Sequence, residues 1–252
     1  LQSQNYGSAN YFSIHNSVGF SGIEHHSNLN PSAIALDTSN YVIFRSKPSR
    51  FGLKELSPIM LSSKLEIDSN ISVGLNFSGV GGDLYSEIGT EAKLSYKISE
   101  IVIIGTSLEL NHLAIKNYNS QILYFVNIGG ILKLSSNLNA GFALRNILRN
   151  YAADYDKTVY LESIFGLAYT LDSNLTVDVD AVVSLNTSSS LNFGVKYILA
   201  ENISTRFAVR TNPGFYEFAS MLQITPKFGI LLGAGYNSIL GISPEILIKY
   251  NI

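Results

Sequence analysis

The residues best placed to do chemistry in this chain are Asp178 and Asp180, set in the run Leu-Thr-Val-Asp-Val-Asp-Ala. On an extended backbone, residues two apart point the same way and lie roughly 7 Å from each other, a spacing that paired acids can use. Arg206 and Arg210 stand in the same half of the chain and give those acids an ordinary electrostatic role instead. His112 has no serine or acid at a recognisable spacing. His25 and His26, with Glu24 beside them and His15 upstream, have the composition of a metal cluster. Adjacent histidines cannot easily face one ion, however, and no second pair follows at ligand spacing, so they read as ordinary polar residues. Gly79-Val80-Gly81-Gly82-Asp83 has the glycines of a phosphate loop without the Lys-Ser/Thr ending, and reads as a hairpin loop. Asn70 and Asn76 begin Asn-x-Ser triplets that are coincidences of strand composition. Pro213-Gly214-Phe215-Tyr216 is a loop with aromatics that suits either a docking partner or a membrane interface. No catalytic residue, metal site or cofactor follows from these patterns, and the chain reads as a non-enzyme.

The elements that must carry these residues are strands. Ile71, Val73, Leu75 and Phe77 alternate with Ser72, Gly74, Asn76 and Ser78, and the run 175–185 does the same. Each stretch therefore has one apolar and one polar face. Apolar residues make up 46% of the chain and charged residues 14%, about half the usual charged share of a soluble domain. A net charge of −2 excludes nucleic acid as a partner, since phosphate binding needs a basic surface. The chain has no cysteine, so disulfides and thiolate metal sites are excluded. No run approaches the ~20 apolar residues of a membrane helix. The first residue is Leu, which is expected where a signal peptide has been removed.

Turn residues fall at regular intervals. One set lies at 67–70, 99–100, 135–137, 172–174, 200–202 and 225–227; a second lies midway, at 79–83, 116–120, 150–157, 186–190, 211–214 and 237–241. The count is thirteen strands from Ser57 onward plus one near 40–46, giving fourteen, with twelve as the alternative because the N-terminal strands are the hardest to place. Short turns on one side and longer loops on the other are the signature of an outer-membrane β-barrel, with the short turns periplasmic. The expected fold is therefore an all-β transmembrane antiparallel barrel, with an N-terminal plug or periplasmic segment over 1–39 and the barrel over 40–252.

The phase of the alternation sorts side chains to two faces. Phe77, Tyr124, Tyr216 and Tyr236 on one side, and Tyr96, Tyr169, Tyr197 and Tyr250 on the other, fall on the apolar face near strand ends, as interfacial girdles require. The opposite phase carries the charges: Glu87, Glu91, Lys93, Glu109, Lys133, Glu162, Asp178, Asp180, Lys196, Arg206, Arg210 and Glu217. So many ions could not be buried in a sandwich core, because unpaired buried ions cost several kcal/mol each. Facing a lumen they pair or stay hydrated, so the sheet is inside out and membrane lipid is its outer partner.

The first forty residues break the rhythm. Segment 19–36 holds small residues and then Asn30-Pro31-Ser32-Ala33, where Asn30 suits a helix cap and Pro31 its first turn. This stretch resembles the glycine-rich, NPA-bearing N-terminus of the FadL-like fatty acid transporter barrels and the related PorV/PorQ family. The C-terminal run 237–252 resembles the entry and closing strand of PorV-type proteins. The resemblance implies a fourteen-stranded barrel with an N-terminal plug, acting as an accessory component of an outer-membrane complex in type IX secretion or surface attachment. Its partners would then be other outer-membrane or surface proteins. The alternative is a FadL-like transporter of a hydrophobic ligand, using inward apolar residues such as Leu123, Phe125, Ile131, Ile164, Val182, Ile198, Leu231 and Leu247. A general porin is a third and weaker reading.

Overall fold

Alternation forces every long stretch into extended backbone, and strands without partners would leave their peptide groups unpaired in hydrocarbon. The chain meets this demand by closing on itself. A computed structural model describes residues 30–148, 151–152, 157–158, 161–184 and 188–252. Fourteen antiparallel strands form a closed barrel. They are β1 (Tyr41–Ser46), β2 (Ile59–Glu66), β3 (Ile71–Gly81), β4 (Tyr85–Lys97), β5 (Val102–Ile115), β6 (Gln121–Lys133), β7 (Leu138–Arg145), β10 (Glu162–Thr170), β11 (Leu175–Ser184), β12 (Ser190–Ala200), β13 (Ile203–Arg210), β14 (Phe215–Thr225), β15 (Phe228–Asn237) and β16 (Gly241–Asn251). Two further strands, β8 (Tyr151–Ala152) and β9 (Lys157–Thr158), pair as a small hairpin between β7 and β10, outside the barrel sheet.

The seam is β1 against β16, in register from Tyr41↔Asn251 to Ser46↔Ile246. It leaves no free edge. Two bulges, one between Ile198 and Ala200 and one between Gln223 and Thr225, bend the wall next to tight turns. The entry to β1 and the last residue meet at one end of the barrel, where Ile252 N–H donates to Asn40 O at 2.9 Å. That end carries only short turns, and several are closed by side chains. Asp68 and Asp172 each accept two backbone N–H groups, and Ser99 and Ser135 do the same. The opposite end carries the longer connections, among them 47–58 and the hairpin-bearing 146–161. By the rule for such barrels, the short-turn end is periplasmic.

Strand β3 extends to Gly81, so the glycine run expected as a loop over 79–83 is partly strand. Val80 points inward there, and the turn begins at Gly82. The outward face is apolar all round, from Leu61 and Phe77 through Leu94, Leu108, Phe165, Phe193 and Phe207 to Leu232 and Ile246. Apolar groups outside and ions within make this an outer-membrane barrel, with membrane hydrocarbon covering the exposed face.

Candidate functional site

The candidate site is the inner face, and it is built by register. Inward positions on neighbouring strands align in rows, and each row has its own chemistry. One row, Ser72–Ser95–Gly105–Gly129–Ala143, crosses five strands and contains nothing larger than Ser or Ala. On this shelf lies the 3-10 segment Pro31–Leu36, with residues 31–35 buried. Asn30 caps it: its Oδ1 accepts from Ser32 N–H at 3.0 Å and from Ser32 Oγ–H at 2.6 Å, and its Nδ2 donates to Gly130 O at 3.3 Å. Ser95 Oγ–H donates to Ser32 O at 3.1 Å. The fit requires glycine. A Cβ at Gly129 would lie 2.0 Å from Asn30 Oδ1, and one at Gly105 would lie 2.4 Å from Ser32 N. Ala33 and Ala35 pack on Ile103 and Ile131. The four motif residues Asn30, Pro31, Ser32 and Ala33 thus line the inner wall near the short-turn end.

Asp37 continues this contact. Its Oδ2 accepts from Lys249 Nζ at 3.1 Å and its carbonyl from Lys64 Nζ at 2.9 Å, while Lys64 also pairs with Glu66 at 3.3 Å. The Lys249 ammonium sits over the Tyr41 ring, 4.9 Å from its centroid.

Further up the lumen the ions form mixed-sign clusters. Arg45 Nε–H donates to Glu245, and Lys47 reaches Glu245 at 3.2 Å and Glu217 at 3.8 Å. Arg206 Nη2 pairs with Asp178 at 2.9 Å, and Arg145 with Glu162 at 2.8 Å. Lys93 pairs with Glu91 at 3.3 Å, Asn76 Nδ2 donates to Glu91 at 2.9 Å, and Tyr85 Oη donates to Glu87 at 3.0 Å. Glu109 accepts from Asn111 Nδ2 at 3.1 Å. Glu87, Glu91, Lys93, Glu109, Glu162, Asp178, Asp180, Arg206 and Glu217 are buried in the inward phase. Lys133, Lys196 and Arg210 share that phase and are partly exposed. Asp178 and Asp180 are brought together as alternation required, but Arg206 takes up the first of them, as an electrostatic pairing would.

Between the charges lie separate apolar patches. Leu113, Leu123 and Phe125 pack with Tyr85 toward the long-loop end, and Ala143, Ile164 and Val182 form a second patch. Tyr41, Ile43, Ala219, Met221, Leu231 and Leu247 form a third, and the residues beneath the 3-10 segment a fourth. Ile198, expected among such residues, is only partly buried and lines a pocket of about 190 Å³ with Lys196, Glu201, Met221 and Lys249 at the short-turn end. On the outside, Phe77, Tyr96, Tyr124, Tyr169, Tyr197, Tyr216, Tyr236 and Tyr250 are all exposed on the lipid face. Tyr216 and Tyr236 stack at 6.5 Å. Of the loop Pro213-Gly214-Phe215-Tyr216, Phe215 turns inward and is buried while Tyr216 faces out. His112 faces out and is exposed. His15, Glu24, His25 and His26, and the larger part of the 1–39 segment, lie outside the described residues.

Sequence reading passed over Arg45, Lys47, Lys64 and Asp37, and the five-residue shelf. Only register brings the shelf together, because its members are spread along the chain from Ser72 to Ala143.

No family model matches the chain, and no curated protein matches it. Solved structures do. The Pseudomonas putida toluene transporter TodX superposes with a TM-score of 0.67 over 98% of this chain and 99% of its own, at 10% identity. The barrel has the fold of the FadL-type proteins. A Pseudomonas aeruginosa FadL homologue agrees, at TM-score 0.61 and 11% identity over 88% of this chain and 92% of its own. The Ralstonia pickettii toluene transporter TbuX gives 0.63 and 9% over 88% and 91%. At such identities the FadL-type likeness is one of fold, covering the wall and its closure.

Proposed function

We propose that this barrel passes a hydrophobic small molecule across the outer membrane, with no catalytic step. The carrying observation is the set of apolar patches on an inner face that is otherwise polar and rich in ion pairs. A lumen serving polar solutes has no use for Leu113, Leu123 and Phe125 side by side near its mouth. Such patches let an apolar solute shed water in stages as it moves along the wall. The toluene transporters among the similar folds support this reading over an accessory one. The accessory role, with type IX secretion or surface proteins as partners, rests on the terminal motifs, and Asn30–Ala33 already has a task in this structure: holding the chain to the shelf. Co-purification of a stoichiometric partner from native membranes would revive it.

The transport reading is tested by uptake into cells expressing the full chain. Phe125→Asp places a charge in the mouth patch and is expected to cut uptake of a labelled hydrophobic compound roughly tenfold, the effect of about 1.4 kcal/mol. Uptake of a small polar solute serves as the control. Equal uptake by wild type, variant and barrel-free cells would rule the proposal out.

A further inference from the structure

The outer wall carries a groove of about 360 Å³ on β4 to β7, in the half nearer the short turns. Leu94, Tyr96, Ile104, Thr106, Ile128 and Phe142 line it. The outward row running across these strands is Tyr96–Ile104–Gly130–Phe142–Phe165, and its centre is glycine. The Phe142 ring lies over that glycine and fills its place, since a Cβ on Gly130 would lie 2.6 Å from it, and so forms the groove's wall on the β7 side. The next row, Leu94–Thr106–Ile128, is also low at its middle. The backbone at the inner-face glycines Gly105 and Gly129 forms the floor, with the segment Asn30–Ser32 packed against its other side.

We propose that one acyl chain of a membrane phospholipid occupies this groove as a retained ligand. Such a ligand follows from the outer-membrane location and does not depend on what the lumen carries. The groove opens onto the lipid face, so hydrocarbon surrounds its mouth. Water has no reason to stay in it: Thr106 Oγ1–H already donates to Asn127 O at 3.1 Å, and every other lining group except Tyr96 is apolar. Left empty, its walls would forfeit dispersion contacts. A chain lying within it touches protein on several sides, whereas an ordinary boundary lipid touches on one. Tyr96 lies next to the end of β4 at Lys97, so its hydroxyl reaches the interface and offers a donor to the lipid's ester region. Short turns at this end place the site in the periplasmic leaflet, where phospholipid is the available diacyl species.

The test uses the full-length barrel extracted in mild detergent, washed stepwise and weighed by native mass spectrometry. Wild type is expected to keep one phospholipid after boundary lipids are gone. Thr106→Leu combined with Ile128→Trp fills the groove and is expected to keep none, while Leu191→Trp on the far wall keeps one. Heat-dependent gel mobility confirms that each variant is folded. Loss of all lipid from wild type, an adduct that persists in the filled variant, or an adduct with the mass of a free hydrophobic compound would overturn the proposal.

A second measurement covers failure of the double variant to fold. The chain has no tryptophan, so Phe142→Trp and Phe193→Trp are single reporters of groove and far wall. After reconstitution with brominated phosphatidylcholine, a detergent wash should reverse quenching at the groove at least about tenfold more slowly than at the far wall. Equal rates would overturn it.

Discussion

At the scale of single residues, the alternation sorted ions from greasy side chains but left their partners hidden. Asp178 is on β11 and Arg206 on β13, with β12 between them, so no local spacing in the sequence relates the two. Gly194 is what allows them to meet. It sits opposite Asp178 on one side and Ala208 on the other, and the ion pair passes directly above it. A Cβ there would lie 2.4 Å from Arg206 Nη2 and 2.5 Å from Asp178 Oδ2. Gly194→Ala should therefore push the pair apart and destabilise the barrel by about 1–3 kcal/mol, the usual cost of overfilling a packed site. Urea unfolding in lipid vesicles measures it. In an Asp178→Asn background the same substitution should cost less, because the pair it disrupts is already weakened. A cycle of the two should show coupling of roughly 0.5–3 kcal/mol. Strict additivity would mean that Gly194 is there for the bend of the strand and not for the ions. The same geometry explains why Asp178 and Asp180 read as a pair of acids from the sequence and behave as wall electrostatics in the fold.

At the scale of elements, the long strands β3 to β6 and β10 to β16 were legible because polar and apolar residues keep strict turns on them. Strand β1 was harder, and for a physical reason. Its residues Tyr41 and Ile43 join an inner apolar patch while Val42 and Phe44 face lipid, so four apolar residues run together and the phase disappears. Arg45 and Lys47 were lost with it. The 3-10 segment was half legible: the Asn30 cap and Pro31 first turn follow from residue type, but the shelf beneath exists only through register. The shelf makes a prediction of its own. Gly105→Val would drive a side chain into the backbone at Ser32, which cannot swing away as a side chain would. Segment Pro31–Leu36 should then leave the wall while the β4–β5–β6 ladder stays intact. The chain contains no cysteine, so Ala33→Cys is a clean reporter of this. Its labelling by a maleimide should be slow in the parent, where Ala33 is 2% exposed, and faster by on the order of tenfold or more with Gly105→Val. Unchanged labelling would show that the segment is held by Asp37 and its lysines instead.

At the scale of the whole molecule, the decisive property is that the fold is inside out, and that property has an energetic signature no soluble sheet would share. Leu232 lies mid-strand on β15 and faces lipid, 59% exposed. Tyr250 faces lipid too, but at the end of β16 beside the chain terminus. Arginine at the first position must sit near the bilayer centre, at a cost of about 2–4 kcal/mol; at the second it reaches the interface and costs about 0–1 kcal/mol. Both substitutions would be cheap on a water-facing sheet, and both would be ruinous in a sandwich core. Only a membrane wall separates them by depth. Unfolding of Leu232→Arg and Tyr250→Arg in vesicles, read against wild type, therefore tests the architecture directly. Equal penalties would contradict the membrane span. The expected gradient would also fix the level at which the groove on β4 to β7 lies, since arginine at Ile128 and at Tyr96 can be placed on the same depth scale. A groove floor near the interface on that scale is what a phospholipid chain tethered by its headgroup needs; one at the bilayer centre would leave only the chain's tip to fill it.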